Sequence, residues 1–360
     1  MTKYSVISAD SHVVEEPDLF VQRIDASFRD RAPHMVREAD RDVYYTEGLP
    51  PTGVGLLGAA GRKPEELGSL NRFEQNRRGG YDPEARFQDM ERDGVDAEVL
   101  YPTIGFRLFR LSDLELQAAC FRAYNDWLAD MCSGHEARLK GLGMVSLADI
   151  ETGVGELRRA KELGLAGSMI AIYPEETRPY SDPYYEPFWA TSEELGMPVS
   201  LHILTAANRP PFETFTVDYA SMANWAQRSL AALIFSGVFQ RHPGLKVVCA
   251  EADIGWIANF LQRIDHTVRK HGPRLGLHLE RMPGEYFREN VRATFMTDMA
   301  GMRTWDLIGE ECIMWSNDYP HTDSTWPNSQ QVIAREFEGV PEEARRKILA
   351  ENCAELYGFD

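Results

Sequence analysis

Six acidic and imidazole residues stand where short apolar runs of the sequence end, and together they could do metal chemistry. In chain order they are Asp10, His12, His202, Glu251, Asp318 and His321. Imidazole nitrogens and carboxylate oxygens are common protein ligands of zinc, iron and manganese. The residue types therefore predict a site for one or two such divalent cations. The predicted metal ligands are Asp10, His12, His202, Glu251 and Asp318, and the predicted catalytic residues are Asp318, Glu251 and His321.

The spacing of the first two residues fits a strand. In "VISADSHVVEEPDLF", a short strand-like run leads into Asp10-Ser11-His12. Side chains two positions apart on a strand project from the same face, so Asp10 and His12 point one way and Ser11 points the other. Taken singly, Asp10 could be a turn residue, His202 a core histidine and Asp318 a helix cap. Their common position at strand ends favours the metal site.

Eight apolar runs alternate with segments of helical periodicity and predict parallel strands. The runs are Tyr4–Ala9, Ala97–Tyr101, Lys140–Ser146, Ala166–Tyr173, Pro198–Leu204, Lys246–Ala250, Val291–Met296 and Cys312–Ser316. Near-continuous apolar character is typical of parallel strands covered by helices. The alternation predicts an α/β fold, a (β/α)8 TIM barrel with extra C-terminal helices, formed by residues 1–360 as a single domain. In this fold catalytic residues lie at the carboxyl ends of the strands.

A long connection follows the first predicted strand. Residues 27–80 include the Gly- and Pro-rich stretch "GLPPTGVGLLGAAGRKPEELG", which predicts an insertion that is either a functional lid or a plain surface excursion. Its second half has five basic residues and three acidic ones. We expect them to attract an anionic substrate, and two tryptophans to contact its bulky organic body. The predicted substrate-binding residues are Arg62, Lys63, Arg72, Arg77, Arg78, Trp256 and Trp326.

Composition excludes several function classes. The net charge of −18 argues against a nucleic-acid partner, whose phosphates require a basic surface. No apolar run approaches the roughly 18–20 residues of a membrane helix, and the N-terminus lacks the apolar core of a secretory signal. We therefore expect a cytoplasmic protein that acts on a small molecule. Five scattered cysteines without a Cys-x-x-Cys pair indicate reduced thiols rather than disulfides.

Taken in order, seven stretches resemble the amidohydrolase superfamily, in the amidohydrolase-2 branch related to aminocarboxymuconate-semialdehyde decarboxylase. They are "SADSHVVEEPDLF", "YDPEARFQDMERDGVDAEVLYPT", "RLKGLGMVSL", "PVSLHI", "HPGLKVVCAEADIGW", "SNDYPHTDSTWPNS" and "KILAENCAELYGF". The resemblance extends over nearly the whole chain. It implies a barrel with a metal at its C-terminal mouth, and a homodimer, since relatives are often dimers.

The resemblance also assigns ligands by position, with two departures. Asp10 and His12 replace the family's His-x-His or Glu-x-His pair, His202 is the strand-5 ligand, and Asp318 is the strand-8 aspartate. The strand-6 position usually carries histidine, but here it is Glu251. Glu251 could be a general base, a ligand or bridge, or a carboxylate that orients a histidine ligand. Because this set of ligands has more carboxylates than the family's usual set, a two-metal site is possible.

Three functions fit these residues. The first is hydrolysis of an ester, thioester, lactone or amide, in which metal-activated water attacks a carbonyl while Asp318 or Glu251 takes the proton. The second, suggested by the resemblance, is non-oxidative decarboxylation of an aromatic or enoic acid, with Asp318 protonating the carbon that loses CO2. The third is a catalytically silent binding barrel. We expect hydrolysis.

Overall fold

The strands form a barrel with a small additional sheet. The structure, a computed structural model, describes residues 2–174, 177–206 and 215–359. Its strands are β1 Ile7–His12, β2 His34–Arg37, β3 Asp42–Tyr45, β4 Thr52–Gly53, β5 Ala97–Tyr101, β6 Leu139–Met144, β7 Gly167–Ala171, β8 Val199–His202, β9 Val247–Ala250, β10 Val291–Phe295 and β11 Ile313–Trp315.

Eight of these strands are parallel and lie in the order β1-β5-β6-β7-β8-β9-β10-β11. Two hydrogen bonds join the last strand to the first just beyond β11: the Asp318 N–H donates to the Asp10 carbonyl at 3.0 Å, and the His12 N–H to the Tyr319 carbonyl at 2.6 Å. The predicted (β/α)8 barrel is therefore confirmed. The carboxyl ends of β1 and β11 are brought together by backbone bonds.

All eight predicted apolar runs overlap a barrel strand, but the first one is displaced. The prediction ends it at Ala9, whereas β1 runs from Ile7 to His12 and is buried throughout. Pairing with β5 continues to His12 opposite Tyr101, after an irregularity between Ser8 and Ser11. Asp10 and His12 thus lie within the strand rather than after it, because the ladder extends into the barrel mouth.

Helices alternate with the barrel strands and cover their outer faces. The longer ones are Pro83–Asp93, Leu114–Cys132, Ile150–Glu162, Glu186–Leu195, Ala223–Phe235, Ile257–Leu275, Pro283–Asn290 and Ser329–Glu336. Several begin at a capping aspartate that accepts first-turn N–H groups, as Asp82 accepts from Glu84 and Ala85. The same helix ends at Gly94, whose φ of 69° suits glycine.

Short helical segments complete the connections. The α-helical ones are Leu19–Arg23, Pro64–Leu67, Gly105–Leu108, Phe215–Ala220, Val238–Arg241, Met299–Met302, Trp305–Ile308, Glu342–Arg346 and Asn352–Tyr357. The 3-10 turns are Ala26–Arg31, Phe73–Gln75, Arg78–Gly80, Pro183–Tyr185 and Glu310–Cys312, and a π-helical turn spans Lys347–Glu351. The last three segments of the chain form the predicted C-terminal helices, where Asn352 donates to the carbonyls of Glu310 and Ile313.

The connection from β1 to β5 has its own secondary structure. β2, β3 and β4 form a three-stranded antiparallel sheet within it. Ala60 N–H donates to the Pro320 carbonyl at 2.9 Å, which joins this connection to the segment after β11. Its role as a lid stays a prediction, as do the homodimer and the cytoplasmic location. Among the described residues, no helix combines the length and apolar character needed to cross a membrane.

A buried ion pair joins the first long helix to the barrel. Arg86 and Glu98 are almost fully buried, and Arg86 Nη1 lies 2.5 Å from Glu98 Oε2 on β5. Arg86 Nε also donates to the Gly79 carbonyl at 2.8 Å, and Nη2 donates to the His12 carbonyl. Because all three partners depend on one guanidinium, its loss would remove the ion pair of a buried carboxylate and a hydrogen-bond donor from two carbonyls.

We expect Arg86→Met to lower the free energy of unfolding by about 3–5 kcal/mol, since it leaves the buried Glu98 carboxyl group without its ion pair. Equilibrium urea unfolding measures this change. Arg78→Met is the matched control, because the Arg78 side chain, which pairs with Asp82, is 74% exposed. We expect little change in the free energy of unfolding of this variant. Equal losses in the two variants would contradict the importance of the buried pair.

Candidate active site

Four of the predicted ligands meet at the carboxyl ends of three strands. Asp10 and His12 come from β1, His202 ends β8, and Asp318 follows β11. Asp10 Oδ1 lies 3.4 Å from Nε2 of both His12 and His202. His12 Nε2 lies 3.1 Å from Asp318 Oδ1. All four side chains are buried, so these atoms form one enclosed group at the barrel mouth.

Each of these four residues has a polar atom that the described part of the chain leaves without a hydrogen-bond partner. The atoms are Asp10 Oδ1, His12 Nε2, His202 Nε2 and Asp318 Oδ2. Burying an unpaired polar group costs free energy unless something else satisfies it. Donor atoms bound to one cation at about 2.0–2.2 Å are separated by roughly 3–3.5 Å. The 3.4 Å distances from Asp10 Oδ1 to Nε2 of His12 and of His202 lie in this range. The residues therefore fit a divalent metal ion.

Backbone carbonyls fix the orientation of both histidine ligands. His12 Nδ1 lies 2.9 Å from the Pro102 carbonyl, and His202 Nδ1 lies 3.0 Å from the Ile203 carbonyl. A carbonyl only accepts, so each Nδ1 carries a proton and donates it. In the neutral ring, Nε2 then has a free lone pair directed at the other donors. This is the arrangement that metal-binding histidines usually have.

A buried network around Asn317 aligns the two aspartates. Asn317 Oδ1 accepts from the Ser8 and Ser11 hydroxyls at 3.0 Å each, and the Asn317 N–H donates to Ser8 Oγ at 3.0 Å. Ser11 thus faces away from the site while its neighbours Asp10 and His12 face into it, as the strand spacing predicts. The network ties β1 to the residue that precedes Asp318.

Thr294, on β10, supports the site from the side. Its hydroxyl donates to Asp10 Oδ2 at 2.9 Å and accepts from the Glu251 N–H at 2.9 Å. Thr294 therefore holds Oδ2 of Asp10, and Oδ1 remains free to face the two histidines of the cluster.

Glu251 lies at the edge of this group rather than at its centre. Its Oε2 lies 3.4 Å from His202 Nε2, and it lines a cavity beside the cluster. The backbone φ of Glu251 is 55° and that of Asp318 is 53°, a left-handed conformation that is uncommon outside glycine. Strained backbone of this kind is often found at functional sites. Burial, with repulsion from Asp318, raises the pKa of Glu251 well above its ordinary value.

His321 contacts Asp318 instead of the cluster centre. Its Nδ1 lies 2.8 Å from Asp318 Oδ1 and its Nε2 lies 2.8 Å from Thr103 Oγ1. The ring stacks on His12 with centroids 3.9 Å apart. Burial and the nearby His12 lower the pKa of His321. The contacts place His321 where it can orient the Asp318 carboxylate.

Opposite charges in the cluster shift the other pKa values. Burial alone would raise the pKa of Asp10, but attraction to His202 and His12 outweighs it and lowers the pKa. Burial would lower the pKa of His12, but contact with Asp10 and Asp318 raises it well above the usual value. A proton on His12 and a metal ion would compete for the same nitrogen, so metal binding releases protons.

The cavity beside the cluster has a volume of about 270 Å³ and lies across the ends of β9, β10 and β11. Glu251, Asp253, Thr297, Ser316 and Asp323 contribute its polar surface. None of the described residues that line it is lysine or arginine. On the other side of the cluster, the Phe106 ring stacks on His202 at 4.3 Å.

The predicted basic substrate-binding residues have other partners. Arg72 donates to Asp42 and to two carbonyls of the connection, and Arg78 pairs with Asp82. Arg77 lies 3.6 Å from the Asp89 carboxylate. Arg62 and Lys63 are exposed on the surface. These contacts do not favour a role in substrate binding, which stays a prediction.

The two predicted tryptophans are also held by the protein. Trp326 is buried beneath the Arg77 guanidinium, 3.6 Å from the ring centroid, and its Nε1 donates to the Asp89 carbonyl at 3.0 Å. Trp256 Nε1 donates to the carbonyl of Ala252 at 2.8 Å, and the Trp256 ring packs on Phe260. Trp326 therefore contributes to the packing of the β1–β5 connection.

Three residues near the cluster were missed by the sequence analysis as site residues: Thr103, Thr294 and Asn317. Thr294 lies at the carboxyl end of a predicted strand, so the rule that identified the aspartates could also have identified it. Asn317 precedes Asp318 directly. Thr103 had no signal of its own, because its role depends on a contact with His321, 218 positions away.

Comparisons with known proteins identify the family of this chain. The family model described as "Amidohydrolase" (Amidohydro_2) matches residues 11–359. Gamma-resorcylate decarboxylase from Rhodococcus jostii is 30% identical over 66% of this chain and 76% of its own length. 2-Amino-3-carboxymuconate-6-semialdehyde decarboxylase from Dictyostelium discoideum is 26% identical over 78% of this chain and 77% of its own.

Solved structures share the fold. An amidohydrolase from Mycobacterium avium subsp. paratuberculosis superposes with a TM-score of 0.80 at 23% identity, covering 99% of this chain and 100% of that one. The 5-carboxyvanillate decarboxylase from Novosphingobium aromaticivorans, solved with manganese and 4-hydroxy-3-methoxy-5-nitrobenzoic acid, has a TM-score of 0.70 at 19% identity and coverages of 99% and 96%.

These relatives overturn the expected reaction. The sequence analysis expects hydrolysis, but the relatives that match over most of the chain are decarboxylases. The expectation is wrong because a metal site of histidines and carboxylates serves both reactions, so ligand types alone do not select hydrolysis. The chain is an enzyme that belongs to the amidohydrolase-2 family, in the branch related to aminocarboxymuconate-semialdehyde decarboxylase.

Proposed function

We propose that this protein is a metal-dependent, non-oxidative decarboxylase of a hydroxylated aromatic acid or a related enoic acid. The observation that carries the proposal is the enclosed set of four unpaired donor atoms in a chain whose curated relatives decarboxylate such acids. The relatives support decarboxylation, and the donor set supports a metal-dependent form of it.

Asp10, His12, His202 and Asp318 would hold a single divalent cation. Two groups of candidate ligands, Asp10 with His12 and His202, and Asp318 with His12 and His321, share His12. His12 Nδ1 is engaged by the Pro102 carbonyl, so only Nε2 is free for both groups. One shared nitrogen favours one ion over two. Manganese is the first metal to test because the solved 5-carboxyvanillate decarboxylase holds it; zinc and iron also suit these ligands.

The bound cation would supply a Lewis acid for the oxygen atoms of the substrate. The remaining chemistry belongs to side chains. In decarboxylation the bond between the ring carbon and the carboxylate carbon breaks, CO2 leaves, and the electron pair stays on the ring carbon, which must take a proton. Asp318 is a candidate for this proton transfer, because His321 holds its Oδ1 while Oδ2 has no partner among the described residues. Burial would raise the pKa of Asp318, but attraction to His321 and His12 outweighs it and lowers the pKa, so the carboxylate would first take a proton from a ring hydroxyl of the substrate and then pass it to the ring carbon.

Glu251 is the second candidate proton donor. Glu251 lines the cavity, and its Oε2 lies 3.4 Å from His202 Nε2. It stands where the family usually has histidine, which in decarboxylase members is thought to manage protons. A protonated Glu251 could serve the same purpose without changing the metal ligands.

The surroundings of the cluster favour an aromatic ring that carries hydrogen-bond donors. Phe106 provides an apolar face beside His202. Asp253 and Asp323 lie on the cavity wall and could accept hydrogen bonds from ring hydroxyls. A second carboxylate on the substrate would be repelled by the same wall, so the substrate class narrows from anionic molecules in general to hydroxylated monocarboxylic acids.

We expect the manganese-loaded protein to release CO2 from 2,6-dihydroxybenzoate (gamma-resorcylate) or from a close analogue with one carboxylate, and to act less well on 5-carboxyvanillate, which carries two carboxylates. Substrate labelled with ¹³C in its carboxylate, followed by NMR, would show loss of the label together with one proton gained at the ring carbon. Metal-free protein is the control. Metal-loaded protein that releases no label from a panel of hydroxybenzoic and enoic acids would refute the proposal.

Metal content should depend on the ligands named above. We expect about one equivalent of bound manganese in the unmutated protein, and a loss of affinity of at least 100-fold in Asp10→Ala and His202→Ala, because each removes a donor atom. Inductively coupled plasma mass spectrometry and a manganese titration measure both quantities. His266→Ala, on the exposed face of the helix Ile257–Leu275, should bind as the unmutated protein does.

Two variants distinguish the proton donors. We expect Asp318→Asn to lower kcat by about 100-fold or more, since general acid catalysis typically contributes 10²–10⁴-fold. Glu251→Gln should keep its metal and lower kcat much less if Asp318 is the donor. Steady-state kinetics with manganese contents matched between variants decide this. The opposite ranking of the two variants would transfer the proton-donor role to Glu251.

A further inference from the structure

Glu15 is a buried carboxylate close to the site that the proposed chemistry does not use. It lies three residues after His12 and is inaccessible to solvent. Its two oxygens accept three consecutive backbone N–H groups: those of Thr103 at 3.1 Å, Ile104 at 2.9 Å and Gly105 at 2.8 Å. All three belong to the segment that follows β5 and leads into the first turn of the helix Gly105–Leu108, which we call the loop 102–106.

This loop, residues 102–106, contacts every histidine of the site. The Pro102 carbonyl accepts from His12 Nδ1 at 2.9 Å. Thr103 Oγ1 lies 2.8 Å from His321 Nε2, and the Phe106 ring stacks on His202 at 4.3 Å. The loop therefore sets the orientation of three imidazoles at once.

Glu15 is the attachment that holds the loop in this position. Hydrogen bonds to an ionised carboxylate are stronger than those between neutral groups, and a buried carboxylate with no partners would be very costly. Burial raises the pKa of Glu15, while the bonds from Gly105, Ile104 and Thr103 oppose that rise. The loop is also tightly packed, because a Cβ at Gly105 would lie 2.6 Å from Pro102 Cβ. Small displacements of the loop would therefore move the groups that face the histidines.

We propose that Glu15 is a positioning residue that aligns His12, His202 and His321 through the loop 102–106. It touches neither the cluster nor the cavity, so it acts through the loop and not on the substrate. The inference rests on the metal site of the proposed function. It adds to that site a residue, Glu15, that affects metal affinity and ligand geometry without being a ligand.

The test compares Glu15→Gln with Glu156→Gln. A glutamine at position 15 replaces one acceptor oxygen by an NH2 group, which would face a backbone N–H and push the loop away. Glu156, in the helix Ile150–Glu162, is a matched control because it is also buried and accepts from the side chains of Asn125 and Arg159 rather than from the loop 102–106. Both variants are loaded with manganese or with cobalt(II), whose visible absorption reports ligand geometry.

We expect Glu15→Gln to bind manganese about 10–100-fold more weakly than the unmutated protein and to change the cobalt spectrum. Glu156→Gln should leave both unchanged even where its thermal midpoint falls. Unchanged affinity and spectrum in Glu15→Gln would overturn the proposal. Equal changes in both variants would overturn it too, since loss of stability alone would then explain them.

A second variant decides the matter should Glu15→Gln fail to fold. Phe106→Leu leaves Glu15 intact and removes the ring that the loop places on His202, so we expect a shifted cobalt spectrum; an unshifted one would overturn the proposal. Failure of the proposed function can be distinguished from failure of the proposal for Glu15. Protein that binds manganese but releases no CO2 refutes decarboxylation, whereas the metal titrations still test Glu15.

Discussion

The structure depends on one electrostatic constraint: four buried donor atoms at the barrel mouth have no partner among the described residues. Without a cation, two carboxylates and two imidazoles share an enclosed space at distances of 3.1–3.4 Å. Such a group would be costly to bury unless protons or a metal balanced its charge. The surrounding hydrogen bonds prevent the side chains from turning away, because Thr294, Pro102 and Ile203 occupy their other polar atoms. The protein thus keeps a set of ligands in a position that only a cation satisfies well.

The side chains that surround the ligands, rather than the ligands themselves, select the reaction. The same ligands would suit a hydrolase, which is why ligand types alone led to the wrong reaction. What differs is the environment: a carboxylate held by His321, a second carboxyl group on the cavity wall, and an aromatic face beside His202. These features suit a planar substrate that needs a proton on carbon. The environment of the site and the decarboxylase relatives together support the proposed decarboxylation more strongly than either does separately.

Much of the fold could be predicted because parallel strands of a barrel are apolar along their whole length, and all eight were recognised. The pair Asp10 and His12 was also recognisable, since the period of a strand places both on one face. Glu15 and Thr103 could not be found this way, because they act through backbone groups and a partner distant in the chain. The basic residues of the connection raise a different question, and their role in substrate binding stays a prediction. Counting charges suggested a surface for anions, whereas Arg72 is neutralised locally by Asp42 and by backbone carbonyls.

The seam between β1 and β11 has a consequence for how the enzyme is made. Asp10 and His12 are synthesised well before Asp318, yet backbone bonds from Asp318 to Asp10 and from His12 to Tyr319 place them side by side. A nascent chain therefore has two residues of the cluster long before it has the complete set. A cation that needs the whole set could be bound only after the segment that follows β11 has closed the barrel against β1.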